Sequence, residues 1–160
     1  KSFAESLLET IIRQLHYLLP KKDIQMVLDL EKKLKEYRSG SADDSFNFFG
    51  MSKVYVDELE KYDVPATVKE MVQKQNVPFL ITQGARDYQI ISDGDFKVFQ
   101  LKLKAIVGKD KVQLKEYENL DHLFMYGEGE GLSKPADYSQ GRHVYQRYIQ
   151  DLVSWIQNRK

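Results

Sequence analysis

Two short segments, Gln83-Gly84-Ala85-Arg86-Asp87-Tyr88-Gln89 and Asn119-Leu120-Asp121-His122-Leu123-Phe124, limit the fold more than any other feature. Each follows an apolar, strand-like run, and a helical pattern lies between them. The first run, Val77-Pro78-Phe79-Leu80-Ile81-Thr82, is apolar without alternation, as in a strand buried on both faces. The second, Val112 to Tyr117, largely alternates apolar and polar, which suits an edge strand or one exposed face. Between them Phe96, Phe99, Leu103 and Ile106 repeat at helical spacing, with Ser92 or Asp93 as cap and Gly108 as stop. A strand–helix–strand unit of this kind is a parallel βαβ, and both following loops emerge at the same carboxyl edge of the sheet. Asp87 and His122 are thereby expected to meet.

The first 76 residues read as helical. Phe3, Leu7, Leu8, Ile11, Leu15 and Leu18 define one amphipathic helix closed by Pro20. A second helix is expected behind Asp23 as N-cap, carrying Ile24, Val27, Leu28 and Leu34 toward a stop at Ser39-Gly40. Arg38 to Gly50 is a polar loop ending in the aromatic cluster Phe46-Asn47-Phe48-Phe49-Gly50, expected to tuck against an apolar surface. Ser52 caps a third helix to about Tyr62, and Pro65 opens a fourth to about Lys74. After the loop from His122 to Ser139, Val144, Tyr148, Leu152 and Trp155 mark a final helix. The expected organisation is a helical segment, 1–76, and a βαβα portion, 77–160. Two strands do not make a stable central sheet alone, so partner strands are expected outside this chain. Lys1 in place of an initiating Met is read as the mark of an excised or processed chain.

Composition narrows the function classes. Lys+Arg and Asp+Glu are equal at 24 each, and no basic stripe is present, which argues against nucleic-acid binding. No apolar stretch is long enough to span a bilayer and no secretory core opens the chain, so a cytoplasmic protein without membrane contact is expected. Cys is absent, which excludes disulfides and thiolate chemistry. No His/Asp/Glu cluster has metal-ligand spacing, so no metal and no cofactor are expected.

Asp87 and His122 each have an ordinary loop reading when taken alone. Together, at the ends of strands joined by one crossover, they suit an acid–base pair. A carboxylate accepting Nδ1–H holds a neutral imidazole in one tautomer and stabilises the imidazolium. Asp121 is a rival acid, but its adjacency to His122 makes approach to Nδ1 awkward. His16 reads as a surface residue of the first helix, and His143 as part of the start of the last. Gly127-Glu128-Gly129-Glu130-Gly131 carries acids where a phosphate loop cannot, and reads as a mobile loop at a site mouth. Ser133 lacks the second glycine of a nucleophile elbow and a preceding strand, and is rejected as a nucleophile. No Gly-x-Ser-x-Gly occurs anywhere.

With Gln83-Gly84, Asp87-Tyr88-Gln89 and His122-Leu123-Phe124 in this order, the chain resembles the C-terminal part of bacterial serine α/β-hydrolases of the dienelactone-hydrolase and acyl-peptidase-like kind. Asp121 stands where that group usually has Asn. Val54-Tyr55-Val56-Asp57-Glu58-Leu59, followed by Tyr62-Asp63, resembles the segment of its helical insert that precedes the first strand. The resemblance implies an α/β fold: a helical cap, 1–76, then the last part of a hydrolase sheet. It implies Asp87 and His122 as triad members, the serine lying upstream, and Phe48, Phe49 and Tyr55 lining an acyl pocket. It further implies a small ester or acyl substrate for the intact enzyme. The missing elbow predicts that this fragment alone is inactive, and the unpaired strand edge predicts that it self-associates or that its first helices fold over the exposed face. The competing expectation is a non-enzymatic interaction module.

Overall fold

The computed structural model describes residues 2–20 and 24–158. The Asp23 cap expected for the second helix lies outside the described residues. The chain divides into two compact units after Val64.

The first unit is built from α1 (Phe3–Leu18), α2 (Ile24–Arg38), a hairpin of β1 (Asn47–Phe48) with β2 (Met51–Ser52), and α3 (Lys53–Glu60). Ser2 caps α1, its hydroxyl accepting Glu5 N–H while the Glu5 carboxylate accepts Ser2 N–H. Ala4, Leu8 and Ile12 of α1, Val27, Leu30 and Leu34 of α2, and Val56 of α3 converge with Phe46 and Phe48 in one core. The inward face of α2 is thus Val27–Leu30–Leu34, while Ile24 and Leu28 of the same helix are exposed. The tight turn separates two adjacent aromatics. Phe49 and Gly50 both take positive φ, the mirror-image geometry of a two-residue hairpin loop, and Phe49 is turned away from the core that holds Phe48.

The second unit contains α4 (Val64–Gln75), β3 (Phe79–Gly84), α5 (Lys97–Val107), β4 (Val112–Tyr117) and α6 (Gln146–Gln157). A single π-type turn, Ser92–Phe96, leads into α5. β3 and β4 pair in parallel, in register from Phe79 opposite Val112 to Gly84 opposite Tyr117. Phe79, Ile81, Val112 and Leu114 point to one face, where they meet Leu103, Ile106 and Val107 of α5 and Val68 and Val72 of α4. That packing places α4 with the second unit, so the division falls 12 residues earlier than the expected boundary at 76/77. On the opposite face Leu80, Gln113 and Lys115 line a groove with Asp151, Ser154 and Trp155 of α6. Helices therefore cover both faces of the sheet, an α/β arrangement. Among the described residues β3 and β4 pair only with each other. No helix among them is long and apolar enough to cross a membrane.

Candidate functional site

Asp87 sits three residues beyond β3, and His122 five beyond β4. Parallel pairing puts both loops at one sheet edge, and the backbone stitches them together there. Ala85 N–H donates to Tyr117 O at 2.9 Å, and Arg86 N–H donates to Leu120 O at 3.0 Å. This closeness requires Gly84. A Cβ at that position would overlap the carbonyl oxygens of Leu120 and Asp121.

The Asp87 carboxylate is 4% exposed, and its two oxygens have separate partners. Oδ1 accepts Gln89 N–H at 2.7 Å and Ile90 N–H at 3.0 Å, folding the acid loop into a turn around the side chain. Oδ2 meets His122 Nδ1 at 2.8 Å and accepts Gln83 Nε2–H at 3.2 Å. The other three groups on this carboxylate are N–H donors, so imidazole too presents an N–H, which assigns the Nδ1–H tautomer. Nε2 is then the basic nitrogen. The His122 side chain is 38% exposed, and among the described residues Nε2 has no hydrogen-bond partner. The arrangement can take a proton at Nε2 and return it, with the resulting positive charge balanced by a buried carboxylate.

Three contributors to this geometry escaped the sequence. Gln83, 5% exposed, shares its amide hydrogens among Gly84 O, Asp87 Oδ2 and Ile90 O. Its signal was a long polar amide at the end of an apolar strand, where only a hydrogen-bonded role makes burial tolerable. Arg142 reaches the buried Asp121, and no sequence spacing announces that pairing. Tyr138 packs its ring 6.2 Å from that of Tyr88 and lies hydroxyl to hydroxyl with Ser133 at 3.1 Å. Burial raises the Tyr138 phenol above its ordinary range, and the Ser133 hydroxyl opposes that shift.

The remaining candidates fall into place by burial. Asp121, the rival acid, is 1% exposed, and its carboxylate is taken by Arg142 and by the backbone N–H groups of Leu123 and Met125. Ser133 is buried beside Tyr138, and its N–H donates to Arg86 O at 2.6 Å. The glycine–glutamate loop meets the acid loop: the Arg86 guanidinium donates to Glu128 O at 2.8 Å and to Gly129 O. His16 lies on α1 in contact with Glu31 of α2 at 3.0 Å. Of the aromatics expected to line a pocket, Phe48 is a fully buried core residue, while Phe49 and Tyr55 are exposed on the helical unit. Among the described residues no three His, Cys, Asp or Glu side chains are grouped to hold a metal.

Fold and site together describe an α/β protein with a histidine–carboxylate pair at the carboxyl edge of parallel strands. Over 152 residues, 95% of this chain, the sequence is 28% identical to Esterase EstD of Thermotoga maritima. The chain spans 34% of the length of that relative. No protein-family profile matches the chain, and no solved structure matches it.

Proposed function

We propose that this chain is the part of an esterase-type serine hydrolase that carries the acid and the base, with the nucleophilic serine elsewhere in the intact protein. The observation that carries the reading is the 2.8 Å contact from His122 Nδ1 to a buried Asp87 at the carboxyl edge of two parallel strands. Similarity to a protein named as an esterase supports it. In this reading His122 Nε2 removes the proton from the serine hydroxyl as the oxygen attacks the ester carbonyl. The same proton then passes to the departing alkoxide, leaving an acyl-serine. Water enters by the same route, His122 taking its proton and returning it to the serine as the acid product leaves. Asp87 holds the tautomer and balances the imidazolium. For the acyl group of the substrate the reading retains Phe49 and Tyr55 and drops Phe48, whose ring is core.

The test is fluorophosphonate labelling, which modifies an activated serine. The intact protein should be labelled on one serine outside these 160 residues, and His122→Ala should abolish labelling. The isolated chain should take no label and show no ester turnover above background. A labelled serine within the chain would overturn the assignment of the nucleophile. Full labelling of the His122→Ala protein would overturn the role of the base.

A further inference from the structure

Among the described residues the His122 side chain makes one hydrogen bond, to Asp87, while the turn that carries it is bonded at several points. Asp121, immediately before it, is 1% exposed. One carboxylate oxygen accepts Leu123 N–H at 2.9 Å and Met125 N–H at 3.0 Å, and Asp121 N–H donates back to Met125 O at 3.1 Å. The other oxygen accepts Arg142 Nη2–H at 2.9 Å. The rest of the guanidinium is directed onto the same loop. Nη1 donates to Tyr126 O at 2.8 Å, while Nε and Nη2 donate to Asp137 O at 3.0 and 2.6 Å. A single planar fork thus ties the beginning, middle and end of the segment from 121 to 137.

The turn alone does not require a charge at 121. An Asn there offers the same carbonyl oxygen to Leu123 and Met125, so the ionised oxygen on Arg142 is the surplus feature. Burying a charged pair costs desolvation that its mutual attraction only partly offsets, so net stability is a weak reason for its presence. What a fork with five fixed donors provides is a single geometry. Any slack in this turn moves the imidazole relative to Asp87, which is anchored from β3.

We propose that Asp121 and Arg142 are positioning residues for His122: their buried ion pair fixes the histidine turn so that Nδ1 stays on Asp87. This rests on the acid–base reading of Asp87 and His122, and it assigns Asp121 a task different from that of the acid it adjoins.

The test reads the imidazole itself in the intact protein, ¹⁵N-labelled at histidine, independently of turnover. Nitrogen shifts of His122 report its tautomer, and the exchange rate of its Nδ1 proton with water reports how firmly the Asp87 bond is held. In the wild-type protein the Nδ1–H tautomer should dominate with slow exchange, and Asp87→Asn should remove both signatures. Asp121→Asn, which keeps the backbone bonds of the turn, and Arg142→Gln should each speed Nδ1-proton exchange at least about tenfold and bring in the Nε2–H tautomer. Arg142→Lys should not restore the wild-type behaviour, because an ammonium cannot span the three acceptors. Should Arg142→Gln fail to fold, Asp121→Asn decides alone. Wild-type exchange and tautomer in folded Asp121→Asn would overturn the positioning role while leaving the acid–base pair standing. Indifference of the wild-type signature to Asp87→Asn would instead overturn the pair.

Discussion

Phe124 lies flat on Tyr148, with ring centroids 4.0 Å apart and planes within 6°. Tyr117, the last residue of β4, meets both rings edge-on, at 6.3 and 5.5 Å. The histidine loop is therefore wedged between the end of a strand and the first turn of α6, and Tyr145 N–H donates to Phe124 O at 2.8 Å to close the contact.

Phe124 makes this stack from a left-handed backbone, φ 55°. Phe124→Ala should destabilise the chain by about 2–4 kcal/mol, from lost ring burial and stacking. Phe124→Gly loses the same ring but relieves the left-handed strain, so it should be the more stable of the two by about 1 kcal/mol. Denaturant unfolding of the pair measures the difference, and a Gly variant weaker than Ala would contradict the strain argument.

Gly84→Ala probes the close approach of the two site loops. The added methyl meets backbone carbonyls of Leu120 and Asp121 rather than a flexible side chain, so the loops must separate. A loss of about 1–3 kcal/mol is expected from overpacking, together with weakening of the Asp87–His122 bond. Chemical denaturation gives the first, and the ¹⁵N shifts of His122 give the second. Unchanged values for both would mean that the backbone yields without cost.

The network beneath the site gives a pH signature. Lys115 Nζ lies 2.6 Å from Asp151 Oδ2, and Tyr117 Oη–H donates to the same oxygen at 2.9 Å. The hydrogen bond from Lys115 is the main cause holding the Asp151 carboxyl below its ordinary range. A carboxyl depressed in the folded state contributes stability above its unfolded value of about 3.9 and loses it as pH falls through the folded value. Because the pair is partly exposed, its worth is about 1 kcal/mol or less. Asp151→Asn should thus melt below wild type at neutral pH, and the gap should close in acid, beneath about pH 4. A constant gap from neutral pH to pH 2 would show that packing, not charge, accounts for it.

In the intact protein, His122→Ala should lower ester turnover by several orders of magnitude, and Asp87→Asn by about 10⁴-fold, the loss known for a triad acid that fixes the tautomer. Asp121→Asn should cost far less than Asp87→Asn, because Asp121 touches Arg142 and backbone rather than the imidazole. Equal losses for Asp87→Asn and Asp121→Asn would mean that the two carboxylates share the role. Steady-state kinetics on a short-chain ester distinguishes these outcomes.

What this sequence determined by itself is what depends on neighbours along the chain. The unbroken apolar run at Phe79–Ile81 makes a strand, the spacing of Phe96, Phe99, Leu103 and Ile106 makes a helix, of which Phe96 and Leu103 are buried and Phe99 is exposed, and Gly108 ends it. A parallel crossover then requires the loops bearing Asp87 and His122 to share an edge. Tertiary structure alone decided which of two adjacent groups does what. Asp121 and Asp87 are both acids near His122, but a guanidinium from residue 142 claims the first and leaves the second to the imidazole. Phe48 and Phe49 are identical neighbours, yet a left-handed turn puts one in the core and the other in solvent. The helix α4 has the pattern of its helical predecessors, but Val68 and Val72 find their partners on β3 and α5 and join the second unit. In each case periodicity sets the local conformation, whereas burial and pairing depend on residues distant in sequence, whose approach no local pattern records.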